Sequence, residues 1–564
     1  MSATRPLRPS ASIEADRAPL VVRPRDDADA SWSSAWVAPA TWAFVALGIW
    51  LRASRALINS PLWGDESMLA ANLIDRGYRE LAGPLANRQV CPVLFLWIER
   101  AIVDALGFTE LTLRLFPMLC GIASVLLFRR LAVRLMSGVP VLLAVAVFAV
   151  SGWPIRYSAE VKPYASDLLA ALALLSLAVE WWRRTARVAW LWALAASGPL
   201  AVSLSYPSVF VAGGVGLALL PTVARDRRAG TWAAYSFFLL GVVSTFGAWQ
   251  TMNAAGGADR AFFLEHWARA FPPLDGPFAL AAWLASTHTG FLFAYPDGGE
   301  RGASGLTTAC FVAAVVVLWR RGRGTVMAMA LIPFALGLAA AAVRRYPYGM
   351  SNRTMQYLAP AICLLAGLGA ASLLASIREP RPRRRIVAGL VVALAVSGLA
   401  RDAYLLRYPY RLATEDRARS FARWFWVEKS RDADLIRGRI DLGCAFRPEQ
   451  WEGGHANTYL CLQKIYSPRQ ARGRPAGPGT VAPARPLRVV FYNESPDPSK
   501  DPRYAAWLAD ISRSHEFRKA ETLTITPVDG RPGETSEAFY LVHEFAPRPQ
   551  GRAVANTPAT PDRH

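Results

Sequence analysis

Residues 129–184 read RRLAVRLMSGVPVLLAVAVFAVSGWPIRYSAEVKPYASDLLAALALLSLAVEWWRR, and the pattern of this stretch decides the fold. Two apolar runs, 139–154 and 165–182, lie between arginine clusters: Arg129, Arg130 and Arg134 before the first, Arg183, Arg184 and Arg187 after the second. A very short charged segment, Arg156–Tyr164, joins them. A helix needs roughly 20 apolar residues to cross the hydrocarbon core of a bilayer, and runs of this kind approach that length. The stretch therefore reads as a membrane hairpin, basic at its two ends and tightly connected on the other side.

The same reading extends along the chain. Further apolar segments fall near 36–56, 111–128, 188–205, 207–224, 231–250, 303–319, 324–343, 355–377 and 386–402. Together they predict an all-α polytopic membrane domain of about eleven transmembrane helices. Composition agrees: 53% of the 564 residues are hydrophobic and mean hydropathy is +0.21, which is rare for a soluble chain of this length. Arginine placement predicts the orientation. The connections after 128, 182, 224, 319 and 377 carry 17 arginines, against only Asp226 and Glu379 as acids. The positive-inside rule puts these five loops and the N-terminus on the cytoplasmic side of a cell membrane, and the excess of arginine over lysine points to a bacterium, hence to its inner or plasma membrane. The net charge of +21 is thus accounted for by helix ends, and nucleic acid is not an expected partner. The six cysteines show no CxxC spacing, so no metal site is expected.

Four regions follow: a disordered cytoplasmic N-terminus (1–35), the transmembrane domain (36–402), a small C-terminal α/β extramembrane domain (403–546) and a disordered tail (547–564). The connections 57–110 and 251–302, on the side opposite the arginines, are long and mixed in character. Each holds a shorter amphipathic stretch, Pro92–Leu106 and Phe262–Phe271, of a length suited to lying in the interface. The C-terminal domain shows a helical pattern at Glu415–Glu428, a Pro/Gly/Arg-rich break at 467–487, strand-like runs at Leu487–Tyr492 and Ala538–His543, and a helix at Tyr504–Ser512. Cys444 and Cys461 lie in one segment on the oxidising side, and a disulfide between them is expected.

Three constellations carry chemistry. Loop one opens with Pro61-Leu62-Trp63-Gly64-Asp65-Glu66-Ser67, two adjacent carboxylates just past a span, where ionisable groups need work or partners. They are either functional or a solvated loop pair. The connection Arg156-Tyr157-Ser158-Ala159-Glu160-Val161-Lys162-Pro163-Tyr164 holds its charges at the membrane surface. Glu160 and Lys162 either pair with each other or face an acceptor and a phosphate. Arg344, Arg345 and Arg353 run against the positive-inside rule. They either snorkel at the interface or bind a lipid phosphate, whose geometry guanidinium matches.

The order of these features resembles the GT-C membrane glycosyltransferases, specifically the protein-mannosyltransferase-like group (glycosyltransferase family 39 type) that includes the lipid A aminoarabinose transferases. The likeness covers about residues 36–400. It rests on Asp65-Glu66, on Cys91-Pro92-Val93-Leu94-Phe95, and on Arg114-Leu115-Phe116 through Gly121 to Arg129-Arg130. It continues through Tyr157-Ser158-Ala159-Glu160-Val161-Lys162-Pro163-Tyr164, Ser205-Tyr206-Pro207-Ser208 and Asn352-Arg353. The chain departs from the pattern at Val90-Cys91-Pro92, where many relatives carry a basic residue with Pro-Pro; Arg88 is the near substitute.

The resemblance implies a polyprenyl-phosphate sugar donor and transfer with inversion to a lipid, glycan or protein hydroxyl on the outer face of the membrane. Asp65 would be the general base, with Glu66 and Glu160 shaping the site. Lys162, Arg344, Arg345 and Arg353 would hold the phosphate. Tyr164, Arg88 and Asn352 would position substrate. No cofactor or metal is implied. The rivals are a lipid or polysaccharide transporter or flippase, which would need ionisable groups or broken helices near the bilayer midplane, and a sensor built on the outer domain.

Overall fold

The computed structural model describes residues 17–22, 35–254, 260–408, 413–424, 462, 465–466, 487–493, 508–509, 511–513, 515–525 and 538–548. The chain divides into two compact units, Met1–Ser60 with Asn72–Pro409, and Pro61–Ala71 with Tyr410–His564.

The elements up to residue 409 begin with strand β1 (Leu20–Val21) and helices α1 (Val37–Leu57), α2 (Gly64–Asp75), α3 (Tyr78–Leu81), α4 (Val93–Leu106) and α5 (Glu110–Leu135). Strand β2 (Met136–Ser137) precedes α6 (Val139–Val150), α7 (Gly152–Tyr157), α8 (Tyr164–Arg183), α9 (Ala189–Leu204), α10 (Ser208–Arg225) and α11 (Ala229–Ala254). Then come α12 (Arg260–His266), α13 (Pro277–His288), α14 (Gly305–Arg320), α15 (Gly324–Ala342), a 3-10 turn at Asn352–Leu358, α16 (Ala359–Ala375) and α17 (Pro380–Arg407).

Eight helical segments among the described residues are long and apolar enough to cross a membrane: α1, α5, α8, α10, α11, α15, Asn352–Ala375 and α17. This is a multi-pass membrane protein. Three shorter apolar helices, α6, α9 and α14, fall where the other predicted segments lie. The clearest difference is at α6, which stops at Val150, with Ser151 extended, rather than running to 154. The reason is local. Pro154 would clash with the carbonyl of Val150 in a continuous helix, but is tolerated in the first turn of a new one. Helix α7 is that new helix.

Helix α6 is apolar all round, and 11 of its 12 residues are buried, as such a helix must be. It packs against α1 and α16. Small residues permit the approach: a Cβ on Gly367 would collide with the backbone of Ala144, and one on Gly369 with the carbonyl of Cys310 on α14. In lipid no hydrophobic force draws helices together, so close packing of small residues supplies the attraction.

Two buried charges in this unit have local partners. Arg52 donates to the carbonyls of Gly48, Ala149 and Phe148. Glu180 is held by Arg134 at 2.9 Å and Arg130 at 3.1 Å. Within the polar segment 1–35, residues 17–22 form a strap. Leu20 and Val21 pair in parallel with Met136 and Ser137, and Leu20 and Val22 are buried.

In the second unit, helix α18 (Ala413–Arg423) packs on an antiparallel sheet of β3 (Leu487–Asn493), β4 (His515–Ile525) and β5 (Ala538–Pro547), ordered β3-β5-β4. Strand β4 is not anticipated from the sequence. The helix expected at Tyr504–Ser512 lies largely outside the described residues, as do Cys444, Cys461, the break at 467–487 and the tail beyond 548.

Candidate active site

The acidic pair opens helix α2, in the second unit. Gly64 is its first residue, so Asp65 and Glu66 occupy the first turn, where the positive end of the helix dipole favours carboxylates. Glu66 is 1% exposed and its Oε2 accepts the backbone N–H of Trp63 at 3.1 Å. That is the returning half of a capping box, which satisfies a donor the helix itself leaves open. Asp65, one residue earlier, is half-buried. The two carboxylates thus differ in situation: one closes the helix start, and its neighbour is more accessible.

In the first unit, the connection between α7 and α8 presents Glu160 and Lys162, each 7% exposed. Glu160 accepts from Arg156 Nε at 2.6 Å, one helical turn back. Lys162 Nζ donates to Gln89 Oε1 at 2.6 Å, which ties this connection to the loop carrying Arg88. Aromatic rings wall the charges. Trp153 and Tyr157 stack with centroids 5.7 Å apart, Tyr157 meets Tyr164 edge-on at 4.9 Å, and Trp153 meets Phe291 at 6.1 Å. The Arg156 guanidinium lies over the Trp153 and Tyr157 rings.

Tyr157 links this cluster to the turn at Ser351–Arg353. Burial pushes its phenol above the ordinary tyrosine range, and the Glu160 carboxylate adds to that. The Arg156 and Arg353 guanidiniums and a hydrogen bond with Ser351 work against the rise. Arg353 is itself braced by α12 and the residue after it: its Nη2 is 3.3 Å from His266 Nε2, and its guanidinium lies 4.9 Å from the Trp267 ring centre. The same helix holds Arg88, whose guanidinium is 4.5 Å from the Phe262 ring centre. The short amphipathic helix expected in the long loop is therefore the part that brings Arg88 and Arg353 together.

Asn352 is 1% exposed, and among the described residues neither its Oδ1 nor its Nδ2 has a hydrogen-bond partner. Buried side-chain amides are nearly always satisfied, which sets Asn352 apart. Glu99 on α4 is similar: wholly buried, both carboxyl oxygens without a partner among the described residues, and held by burial well above the usual carboxylate range.

The first unit thus gathers Arg88, Glu160, Lys162, Tyr164, Asn352 and Arg353 through direct contacts or chain neighbours. Arg344 and Arg345 stand apart, exposed at the exit of α15. Sequence reading did not single out Arg156, Gln89, Trp153, Tyr157, Trp267 or Glu99. Arg156 had a signal, its i,i+4 spacing to Glu160; the others become visible only through packing. Among the described residues no three His, Cys, Asp or Glu converge as metal ligands. Cationic groups between aromatic walls, with one unsatisfied amide, form a site suited to an anionic group.

No protein-family model matches the chain, and no curated protein matches it. Among solved structures it is similar to ArnT from Cupriavidus metallidurans bound to undecaprenyl phosphate, with 16% identity, 75% of each chain covered and a TM-score of 0.40. It is also similar to the oligosaccharyltransferase of Archaeoglobus fulgidus in its apo form, with 11% identity, 76% of this chain and 65% of that chain covered, and a TM-score of 0.43.

Proposed function

We propose that this chain is a membrane-embedded glycosyltransferase of the GT-C type that moves a sugar from a polyprenyl-phosphate donor to an acceptor hydroxyl on the outer face of the membrane. The observation that carries this reading is the linked cluster of Lys162, Arg353 and Glu160 among Trp153, Tyr157 and Tyr164. It lies in connections opposite, along the chain, to the arginine-rich ones. Lys162 and Arg353 neutralise the phosphate and stabilise it as leaving group, where preorganised cations act without reorganising as charge develops. Asn352 bonds the donor through its open amide. Asp65 takes the proton of the attacking hydroxyl, and the sugar is displaced with inversion. Glu66 acts through Asp65, by fixing the start of α2. A transporter would place its ionisable groups at the midplane, whereas this cluster sits in the connections between helices.

The test is a deletion strain analysed by mass spectrometry. A polyprenyl-phosphate sugar should accumulate, and an envelope glycan or lipid should lose that sugar. Both changes should be reversed by the intact chain and not by Asp65→Asn. Unchanged profiles would dismiss the reading.

Orientation is proposed from the arginine loops. The N-terminus is cytoplasmic, the C-terminal unit lies on the outer side, and eleven helices cross between them. Reporter fusions at residues 30 and 450 should report opposite sides. The same side for both would mean an even number of spans.

A further inference from the structure

Helix α13 (Pro277–His288) is apolar, yet none of its 12 residues is buried. From Gly276 through Pro296 the chain carries no aspartate, glutamate, lysine or arginine. The outward arc of the helix is formed by Phe278, which is 90% exposed, with Ala279, Ala281, Ala282, Ala285 and Ser286. A helix lying flat at a membrane interface keeps a charged or polar face toward water. The arc of α13 offers no such face.

Its polar groups are turned inward. Ser286 Oγ donates to the Trp283 carbonyl at 3.0 Å and Thr289 Oγ1 to that of Ala285 at 2.8 Å. His288 Nδ1 lies 2.8 Å from the Leu284 carbonyl oxygen, and Trp283 Nε1 donates to the Arg269 carbonyl at 3.1 Å. A helix leaves its last carbonyls without partners of its own. Here the Ala285 carbonyl accepts the Thr289 N–H at 2.9 Å, that of Thr287 the Gly290 N–H at 3.3 Å, and that of His288 the Thr308 hydroxyl at 2.5 Å. Water would serve such groups equally well, whereas in hydrocarbon they must find partners within the protein.

The chain then returns as irregular backbone. Gly290 opens a 3-10 turn at Phe291–Phe293, and Leu292, Phe293, Ala294 and Tyr295 are all buried. Non-helical chain at membrane depth is tolerated where protein covers it. Both ends of this excursion belong to the connection between α11 and α14, at the helix ends away from the arginine-rich loops. The inward side of α13 closes on the segment that leads into Asn352. The Tyr348 hydroxyl is 3.0 Å from His288 Nε2, its ring centre is 6.1 Å from that of Trp283, and a Cβ on Gly349 would collide with Thr287.

We propose that α13 is a re-entrant half-span that enters the hydrocarbon at those helix ends, sets its outward arc against phospholipid acyl chains, and returns through Gly290–Tyr295 to the side it came from. Its 12 residues rise about 18 Å, too little for a layer of ~30 Å but enough for one leaflet. Acyl chains are the partner because the arc offers no charge to a headgroup. The excursion adds no crossing, and its seating does not depend on transferase activity.

The test is spin labelling of the full-length protein in lipid nanodiscs, with oxygen and a water-soluble nickel chelate as collision probes. Cys444→Ser combined with Cys461→Ser provides the background, since the four other cysteines are buried. Labels at Phe278→Cys and Ala282→Cys should collide with oxygen as often as one at Leu240→Cys, which is exposed on the spanning helix α11. They should lose the nickel collisions shown by a label at Glu300→Cys, exposed in the same connection. Nickel collisions equal to those at Glu300→Cys place α13 in water and overturn the proposal. Loss of both kinds of collision means that protein, such as a second copy of this chain, covers the arc, and overturns it as well. Either label position decides the matter by itself if the other variant fails to fold.

Discussion

Asp65→Asn should nearly abolish sugar transfer while leaving expression and donor binding intact. The substitution keeps size and shape but cannot accept a proton, and loss of a general base typically costs ~10²–10⁴-fold in rate. The start of α2 makes a clean comparison available. Glu66 serves the helix by accepting the Trp63 N–H. Glu66→Gln retains an acceptor oxygen for that bond, so its effect should be much milder. A single-turnover assay with saturating donor separates the two. If Asp65→Asn turns over near the wild-type rate, the base lies elsewhere, and Glu160→Gln is the next variant to measure.

Lys162→Ala should weaken binding of the polyprenyl-phosphate donor by about 10–100-fold, the equivalent of losing one charge-assisted hydrogen bond to phosphate. Lys162 is the only lysine before Lys429 in a chain that otherwise uses arginine, and its ammonium is nearly buried beside Gln89. A compact ammonium on a flexible stem fits a single phosphate oxygen in a way that a planar guanidinium does not, so Lys162→Arg should recover only part of the affinity. Undecaprenyl phosphate is a suitable probe, followed by equilibrium binding in detergent. A purely structural lysine would behave differently: Lys162→Arg would be tolerated, and Lys162→Ala would lower yield with donor affinity unchanged. That second pattern in a well-folded protein removes Lys162 from the site.

Hydropathy and charge add along the chain, so properties built on them are legible without a fold. The apolar runs mark the helices now seen at Val37–Leu57, Glu110–Leu135 and Tyr164–Arg183. The stretch Pro92–Leu106 becomes α4, and the runs at 487 and 538 become β3 and β5. Strand β4, His515–Ile525, escaped because its mixed polar residues resemble surface chain until β5 pairs with them, and pairing is a long-range event.

The candidate residues divide in the same way. Glu160, Lys162 and the Asp65-Glu66 pair stand out locally because charges beside a membrane span are costly unless they serve a purpose. Their partners do not stand out. Phe262 under Arg88, Trp267 and His266 against Arg353, and Gln89 on Lys162 meet across 73 to 174 residues of sequence. What joins them is helix packing. Gly367 closing on Ala144 and Gly369 on Cys310 set the spacing between helices, and side-chain convergence follows from that spacing rather than from any residue's own preference. The strap at 17–22 is the same case: Leu20 and Val22 look like stray apolar residues in a polar segment until the ends of α5 and α15 give them a surface to cover. The sequence alone marked the apolar segments that form the long helices and the charges in the connections between them. Only the tertiary structure decided which of those charges meet, because a contact depends on distances that no single stretch of chain contains.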